Sequence, residues 1–385
     1  MTVELAPRPP ATADRDAAVA QRALLRVENL TVGFGPRRAP TPVVKGVSFT
    51  LERGRCLAIV GESGSGKSVT ARTLVGLTGG ASHVAADRLE LEGADLLGFG
   101  DRQWRGVRGK EVGFVLQDAL VSLDPLRPVG REIAEALALH GWGTRGERRE
   151  KVIDLLRSVG VPEPELRASQ RPDELSGGLR QRALIASALA LDPKLLIADE
   201  PTTALDVTVQ AQILDLLEAT KARGKTLILI SHDLAVVSRM ADEVAVMKDG
   251  EIVERGDARV VLSNPQHKYT QALLDAVPSA RPRRRPSVPG APVLEAEGLV
   301  KRYRGPDGVD RTVVDGVSFT LRAGETLGVV GESGSGKTTT ARLALALTEA
   351  DGGSVTLNGA PWSGLRERER RARRRQVTVI YQDPL

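Results

Sequence analysis

The sequence predicts an α/β fold built around a glycine-rich loop, and the same pattern occurs a second time in part. The run Leu57 to Val60 is typical of a buried strand, a glycine-rich loop follows at Gly61 to Ser68, and Val69 to Leu77 has the pattern of a helix. The stretch Val43 to Leu77 recurs at Val313 to Leu347, which indicates a duplicated domain.

The loop fits the pattern G-x-x-x-x-G-K-[ST]. Its N–H groups and the positive end of the following helix are expected to cradle phosphate oxygens. Lys67 would reach the β- and γ-phosphates, and Ser68 would hold Mg²⁺. A plain turn without a ligand is the alternative, but the motif and both its flanks match. The predicted nucleotide-binding residues are Gly61, Glu62, Ser63, Gly64, Ser65, Gly66, Lys67 and Ser68, and in the second loop Gly331, Glu332, Ser333, Gly334, Ser335, Gly336, Lys337 and Thr338.

Composition limits the classes of protein that this chain fits. Its 385 residues, 41% of them hydrophobic, can form ordinary cores, and no apolar run approaches the ~18 residues of a membrane span. The acids and prolines of residues 1–21 exclude a signal peptide, so we expect a cytosolic protein with a disordered lead-in. A single cysteine, Cys56, excludes a disulfide framework and is expected to be a core residue of a strand.

The basic charge is confined to the second part of the chain. Residues 279–385 carry 18 Lys and Arg against 12 Asp and Glu, whereas residues 1–278 carry 36 against 37. The excess comes largely from Arg281 to Arg285, interpreted as a linker, and from Arg366 to Arg375, interpreted as a solvated helical face. No nucleic-acid partner is therefore expected.

Two strands are predicted before the first loop, Leu24 to Val32 and Val44 to Leu51, with a turn at residues 35–38. Phe34 lies between them, and Tyr303 occupies the matching place in the second copy. Either aromatic ring could stack on adenine or be a half-buried strand residue, and the sequence leaves both interpretations open.

Polar side chains follow three predicted strands. Gln117 ends the strand Glu111 to Gln117, Asp199 and Glu200 end Leu195 to Glu200, and His232 follows Thr226 to Ile230. Ligands of open α/β sheets bind at the carboxyl ends of the strands. Asp199 is therefore expected to bind Mg²⁺ through water, and Glu200 to orient or deprotonate the attacking water. Gln117 is expected to reach the metal or the γ-phosphate, and His232 to contact the γ-phosphate. An ordinary loop glutamine and a structural histidine are the alternatives.

A second anion-binding device is predicted at Ser176, Gly177 and Gly178, ahead of a helical run from Ala183 to Leu191. One domain needs only one such device, so this one is expected to serve a nucleotide held by a partner domain. A plain capped helix is the alternative. Residues 126 to about 172, which contain the predicted helices Val129 to His140 and Glu147 to Val159, are expected to be a helical insertion.

Six stretches of the sequence, in order, resemble the motifs of an ABC-type ATPase domain. They are the glycine-rich loop, Gln117, LSGGLRQR, LLIADE, TALD and Ser-His232-Asp. The resemblance implies ATP and Mg²⁺ as cofactors and a P-loop α/β fold with a β-rich subdomain. It also implies that Asp206 forms the D-loop and that Gln181 belongs to the signature with Ser176 to Gly178. In the second copy it implies that Thr338 and Gln382 contribute to a metal and nucleotide site.

A finer resemblance, to the ATPase subunits of oligopeptide, dipeptide and nickel importers, rests on ADEPTTALDVTVQAQIL, on LQDALVSLDPL and on the tail Asn264 to Pro278. It implies that the chain powers import of a peptide or related solute from the cytoplasmic face of the membrane, as a peripheral protein. The implied partners are two integral permeases, indirectly an extracytoplasmic solute-binding protein, and a second ATPase domain or a second copy. The predicted segments are a lead-in (1–21), a first ATPase domain (22–262), a tail (263–278), a linker (279–292) and a partial second domain (293–385).

The second copy departs from the family pattern because it reaches its Q-loop glutamine and then stops. A truncated or partial sequence, resembling a fusion of two ATPase subunits, is the interpretation. Head-to-tail closure of two domains on two ATP molecules, as in the family, then predicts that this sequence forms no complete intramolecular site.

A cytosolic twin-ATPase translation factor is the competing hypothesis, but such proteins have a long charged helical connection, whereas Ser279 to Pro292 is short and rich in proline. Chromosome and DNA-repair ATPases insert zinc sites or coiled coils, which this sequence lacks. The solute itself is not specified by an ATPase sequence, although peptide is favoured.

Overall fold

The computed structural model describes residues 22–117, 122–203, 205–276, 290–304, 309–331 and 334–380. The predicted lead-in, most of the predicted linker, and Glu332, Ser333 and Gln382 lie outside these ranges. The chain divides into two compact units, Met1–Ser279 and Ala280–Leu385.

The first unit contains two sheets. The outer one is antiparallel, with strands β1 (Ala23–Phe34), β2 (Thr41–Glu52), β4 (Ser82–Ala85), β5 (Arg88–Leu91) and β6 (Ala94–Asp95). The inner sheet has the order β11-β10-β3-β9-β8-β7, with β3 (Cys56–Val60), β7 (Val112–Val115), β8 (Leu195–Asp199), β9 (Thr226–Ser231), β10 (Glu243–Lys248) and β11 (Glu251–Asp257).

All strands of the inner sheet except β11 run parallel, which places their carboxyl ends at one edge. The central strands β3, β8 and β9 are buried at every position because helices or the outer sheet cover both faces. This burial explains their continuous apolar runs. Cys56 lies at the start of β3, and burial raises the pKa of its thiol to about 12.

The helices of the first unit are α1 (Lys67–Thr73), α2 (Asp101–Val107), α3 (Val129–Leu139), α4 (Arg145–Ser158), α5 (Pro164–Arg167), α6 (Gly177–Ala188), α7 (Val207–Ala222), α8 (Leu234–Met240), α9 (Ala258–Ser263) and α10 (Lys268–Asp275). The predicted insertion is present as α3, α4 and α5. Helices α1 and α6 show the largest differences from the predicted boundaries. Helix α1 begins at Lys67 and ends early at Thr73, and α6 begins at Gly177 because Ser176 caps it.

The second unit contains a sheet of order β13-β12-β14-β15, with β12 (Pro292–Arg304), β13 (Asp310–Arg322), β14 (Gly352–Leu357) and β15 (Ala360–Pro361). Its helices are α11 (Lys337–Ala344) and α12 (Glu367–Arg370). The segment that aligns with β3 in the repeat, residues 326–330, is not a strand, and Val330 is 93% exposed. In the first unit β3 pairs with β9 and β10, and the described part of the second unit offers this segment no such neighbours.

The arginine-rich segment of the second unit agrees only in part with the interpretation of a solvated helical face, because Arg366, Arg368, Arg371 and Arg375 are exposed, whereas Arg373 and Arg374 are half-buried. Arg373 and Arg374 lie over the ring of fully buried Trp362, with guanidinium carbons 5.5 and 5.3 Å from it. Arg374 also donates to the carbonyl of Leu345 (2.8 Å) and Arg373 to that of Pro361 (2.7 Å). Arg373 and Arg374 therefore cover the indole ring of Trp362 in the hydrophobic core of the second unit.

Candidate functional site

The phosphate loop lies between the buried strand β3 and helix α1. Gly61, Gly64 and Gly66 have φ values of 151°, 82° and 99°, which favour glycine. A Cβ on Gly61 would lie 2.2 Å from the carbonyl oxygen of Met247 in β10, so the loop passes directly against the sheet.

Lys67, the first residue of α1, is buried and folded back onto the loop. Its Nζ donates to the carbonyl oxygens of Gly61 (2.7 Å) and Glu62 (2.6 Å) and to Ser65 Oγ (3.3 Å). Burial lowers the pKa of this ammonium, while the carboxylates of Glu200 and Asp199 oppose that effect. The positive charge is therefore held inside the predicted cradle by acceptors that a phosphate could replace.

Asp199 ends β8 beside the start of α1. Ser68 Oγ donates to Asp199 Oδ1 at 3.0 Å, whereas Asp199 Oδ2 is buried and has no hydrogen-bond partner. Burial raises the pKa of Asp199, and the hydrogen bond from Ser68 acts in the opposite direction. A buried carboxylate oxygen without a partner, next to a hydroxyl, is a donor set that fits a hard cation such as Mg²⁺. No cluster of three or more His, Cys, Asp or Glu able to hold a metal occurs in the described ranges, so phosphate oxygens would complete such a site.

Glu200 follows Asp199 with a positive φ of 47°, and its N–H donates to the carbonyl of Ile230 at 3.0 Å. Oε2 of Glu200 accepts from Gln117 Nε2 and from Thr203 Oγ1, both at 3.0 Å, and Oε1 lies 3.3 Å from His232 Nδ1. The structure thus brings together three of the predicted polar residues from the ends of β7, β8 and β9.

The hydrogen bond from Thr203 to Glu200 is not predicted by the sequence. Thr203 lies three residues after Glu200 in the Pro-Thr-Thr segment, where a hydroxyl can reach back to the carboxylate. A threonine at this spacing from a strand-ending acid is the signal that could have indicated it. It fixes the carboxylate together with Gln117.

The predicted second anion-binding device begins α6. Ser176 Oγ accepts from the N–H of Leu179 at 3.4 Å, and a Cβ on Gly178 would lie 2.5 Å from Val209 in α7. Asp206 caps α7 by accepting from the N–H of Val209 at 2.9 Å. Ser176 and Gly177 are exposed, whereas Gln181 is 4% exposed and its Nε2 has no partner. The exposed residues of this turn are those able to meet a nucleotide from outside.

The aromatic candidates differ in their surroundings. Phe34 is half-buried and packs against the core of the outer sheet. Tyr303 is 42% exposed, and Lys301 Nζ lies 5.6 Å from the centre of its ring. Both positions therefore keep part of an aromatic face accessible.

The second loop repeats part of the first geometry. Gly331, Gly334 and Gly336 have φ values of 156°, 81° and 90°, and Lys337 Nζ donates to the carbonyl of Gly331 at 2.7 Å. Thr338 is the second residue of α11, as Ser68 is of α1, and it is exposed, as are Gly334 and Ser335. In the described part of the second unit, no acid corresponds to Asp199 or Glu200.

Comparison with known proteins agrees with this geometry. The family model described as ABC transporter matches residues 44–203 and 314–385, and the model described as oligopeptide/dipeptide transporter, C-terminal region, matches residues 253–300. A dimeric ATP-binding cassette, MJ0796, solved bound to ADP and Pi, is similar in structure, with a TM-score of 0.54 and 28% identity over 61% of this chain and 99% of that one.

Three curated relatives illustrate the sequence similarity. A peptidoglycan transport ATP-binding protein, YejF of Agrobacterium fabrum, is 44% identical over 94% of this chain and 67% of its own length. An uncharacterized ABC transporter ATP-binding protein, YejF of Escherichia coli, is 42% identical with 94% and 69% covered. The glutathione import ATP-binding protein GsiA of Escherichia coli is 42% identical with 94% and 64% covered.

The chain spans about two thirds of the length of these relatives. All three are named as transporter proteins, and none supports the translation-factor alternative. No helix in the described ranges is both long and apolar enough to cross a membrane. Two segments match the same family model, residues 253–300 match the model of the C-terminal region, and the relatives are more than 40% identical. The chain is therefore an ATPase of the ABC transporter family, in the group that carries the oligopeptide/dipeptide C-terminal region.

Proposed function

We propose that this chain binds and hydrolyses ATP to power the import of a peptide or a related small solute. The observation that carries the proposal is the arrangement of two adjacent carboxylates at the end of β8. Asp199 pairs with Ser68 of the phosphate loop, while Glu200 is held by Gln117 and lies against His232. In this proposal Asp199 serves a metal position and Glu200 a water position.

In the proposed mechanism, the phosphates of ATP replace the loop carbonyls as acceptors for Lys67, which then contacts the β- and γ-phosphates. The loop N–H groups and the N-terminus of α1 hold the remaining oxygens. Glu200, fixed by Gln117 and Thr203, orients the attacking water and accepts its proton, and His232 contacts the γ-phosphate from the end of β9.

Ser68 and Asp199 are the residues proposed to hold Mg²⁺, because Asp199 Oδ2 is buried without a partner and the Ser68 hydroxyl is 3.0 Å from Oδ1. The ion would neutralise charge on the phosphates. Gln117 donates its hydrogen bond to Glu200 and not to Asp199, so the proposed contact of Gln117 with the metal requires this bond to break. Thr338 and Gln382 remain the corresponding proposals for the second loop.

The site also needs a partner. The exposed Ser176 and Gly177, with Gly178 and Asp206 behind them, are proposed to close over a nucleotide bound by another ATPase domain. We propose that residues 22–262 form the first such domain, 263–278 its tail and 293–385 a partial second copy joined by a linker at 279–292. The second match to the family model and the repeated loop geometry support this division.

Two integral permeases and, indirectly, an extracytoplasmic solute-binding protein are the proposed partners, at the cytoplasmic face of the membrane. The tail match supports this assignment, and so do the names of the relatives. Peptidoglycan and glutathione both contain peptide bonds, which favours a peptide-like solute.

The proposal is tested by capture of partners on the ATP-bound chain. Tagged Glu200→Gln is added to native membranes with ATP and Mg²⁺, because this change keeps the shape of the side chain but removes the base. Glu200→Gln combined with Lys67→Ala and Lys337→Ala, which is expected to lose ATP from both loops, is the matched control. We expect two permeases and a binding protein with the single variant only. Ribosomes, or the same proteins with both variants, would contradict the proposal.

A further inference from the structure

The peptide unit between Gly61 and Glu62 is held at both ends. Its carbonyl oxygen accepts from Lys67 Nζ at 2.7 Å, and its N–H donates to the hydroxyl oxygen of Tyr269 at 3.0 Å. A peptide unit is planar, and its N–H and C=O point in opposite directions. Holding the N–H therefore also sets the direction of the carbonyl on which the lysine rests.

Tyr269 comes from the tail, 207 positions along the chain from Glu62. It is 9% exposed and packs in a cluster with Ala58, Val60 and Val237. Its ring also lies 5.0 Å from Lys248 Nζ. The hydroxyl thus reaches the phosphate loop from a side chain whose ring is fixed by the core.

The start of the tail is fastened to the sheet. Glu254 of β11 accepts from the N–H groups of Gln266 (2.8 Å) and His267 (3.0 Å), and His267 Nδ1 accepts from the N–H of Tyr269 at 3.2 Å. The loop is also held by the β10–β11 turn, because the N–H of Gly250 donates to the carbonyl of Ser65 at 3.1 Å. Residues 250–269 therefore contact the phosphate loop twice, through Gly250 at Ser65 and through Tyr269 at Glu62.

The hydroxyl keeps its proton at neutral pH. Burial raises the pKa of Tyr269, and the neighbouring carboxylates of Glu62 and Asp249 act in the same direction, against the hydrogen bond from the Glu62 N–H. A neutral hydroxyl is at once an acceptor for this N–H and a donor. The contact thus persists across the ordinary range of assay pH.

We propose that Tyr269 is a positioning residue for nucleotide binding, and that the tail sets the orientation of the Gly61–Glu62 peptide unit through this hydroxyl. The inference rests on the proposed role of the loop in holding phosphates. Without the hydroxyl, the Glu62 N–H loses its partner, the unit becomes free to rotate, and its carbonyl no longer guides Lys67. One such hydrogen bond corresponds to a roughly three- to tenfold loss of nucleotide affinity.

The test compares Tyr269→Phe, which removes only the oxygen atom, with Gln271→Ala on the same helix. Gln271 is exposed, and its side chain donates to Pro265 within the tail. Both changes are made in the full chain carrying Lys337→Ala, so that the second loop does not contribute to binding. The readouts are the dissociation constant for ADP with Mg²⁺ and hydrogen exchange of a peptide that covers residues 57–66.

We expect Tyr269→Phe to weaken ADP binding three- to tenfold and to speed exchange at the loop, with both readouts unchanged in Gln271→Ala. Equal affinity and equal exchange in Tyr269→Phe and its parent would overturn the inference. Equal loss in both variants would overturn it too, because it would show a general effect of the tail. If the chain that carries only Lys337→Ala fails to bind ADP, the proposed role of the phosphate loop fails instead. Hydrogen exchange of residues 57–66 still tests the contact between Tyr269 and Glu62 in that case.

Discussion

Replacing Gly61 by alanine tests how closely the phosphate loop must lie against the sheet. The new Cβ would be 2.2 Å from Met247 O, whereas ordinary contact begins near 3.4 Å, so the loop or β10 must shift by about 1.2 Å. Met247 is fully buried in β10, which leaves the loop as the part that moves. A shift of this size would remove a hydrogen bond from a loop N–H to a phosphate oxygen, and a hydrogen bond to a charged group contributes about 1.5–3 kcal/mol, or roughly 10- to 150-fold in affinity.

The matched control is Gly54→Ala. Gly54 also has a positive φ, 74°, but a Cβ there would have nothing within 4 Å. It should therefore show only the cost of a left-handed alanine, about 1–2 kcal/mol. A loss of this size lowers the melting temperature by roughly 2–4 °C per kcal/mol in a unit of this size.

The assay is ADP affinity in the Lys337→Ala background, together with thermal unfolding without nucleotide. We expect Gly54→Ala to lower the melting temperature and to leave the affinity unchanged. Gly61→Ala should weaken ADP binding by roughly 10- to 150-fold. Unchanged ADP affinity in Gly61→Ala would refute the argument, because it would mean that the loop tolerates the shift.

Four further outcomes are expected. Glu200→Gln should bind ATP but hydrolyse it at least ~100-fold more slowly, as measured by phosphate release, and near-normal turnover would refute its role. ATP turnover by residues 1–385 should rise more steeply than the first power of protein concentration, and first-order behaviour down to high dilution would contradict the need for a partner domain. Trp362→Ala should destabilise the second unit by about 3–5 kcal/mol, so that calorimetry shows its transition lowered and that of the first unit unchanged. Burial raises the pKa of Asp199 above the ordinary 3.8, so the stability that its proton provides is present at low pH and is lost as the pH rises through the raised pKa. Asp199→Asn should therefore flatten the curve of unfolding free energy against pH in this range, and an unaltered curve would contradict the assignment.

The sequence was sufficient to predict the strands that carry the site because each is an apolar run followed by a polar residue. The rule that parallel strands end at one edge is enough to predict that Gln117, Glu200 and His232 lie together. Helix limits were less predictable. Helix α6 begins at glycines that have low helix propensity, and only the cap at Ser176 and packing against Val209 explain its start.

The contacts that the sequence could not indicate are those between distant segments. Nothing in the pattern around Tyr269 shows that its hydroxyl meets Glu62, because hydrophobic periodicity reports only that the residue is buried. The absence of a strand at residues 326–330 has a similar cause. The segment is nearly identical to β3 in character, but a parallel strand exists only where neighbours pair with it.

Cys56 has a practical consequence for experiments on this chain. It is the single cysteine, it is fully buried in β3, and its thiol has a pKa of about 12, so the folded chain presents no thiolate to alkylating reagents. A cysteine introduced on the surface would thus be the one residue that reacts with a maleimide dye. Pairs of such labels, one in each unit, would allow fluorescence energy transfer to measure the distance between the labels with and without ATP.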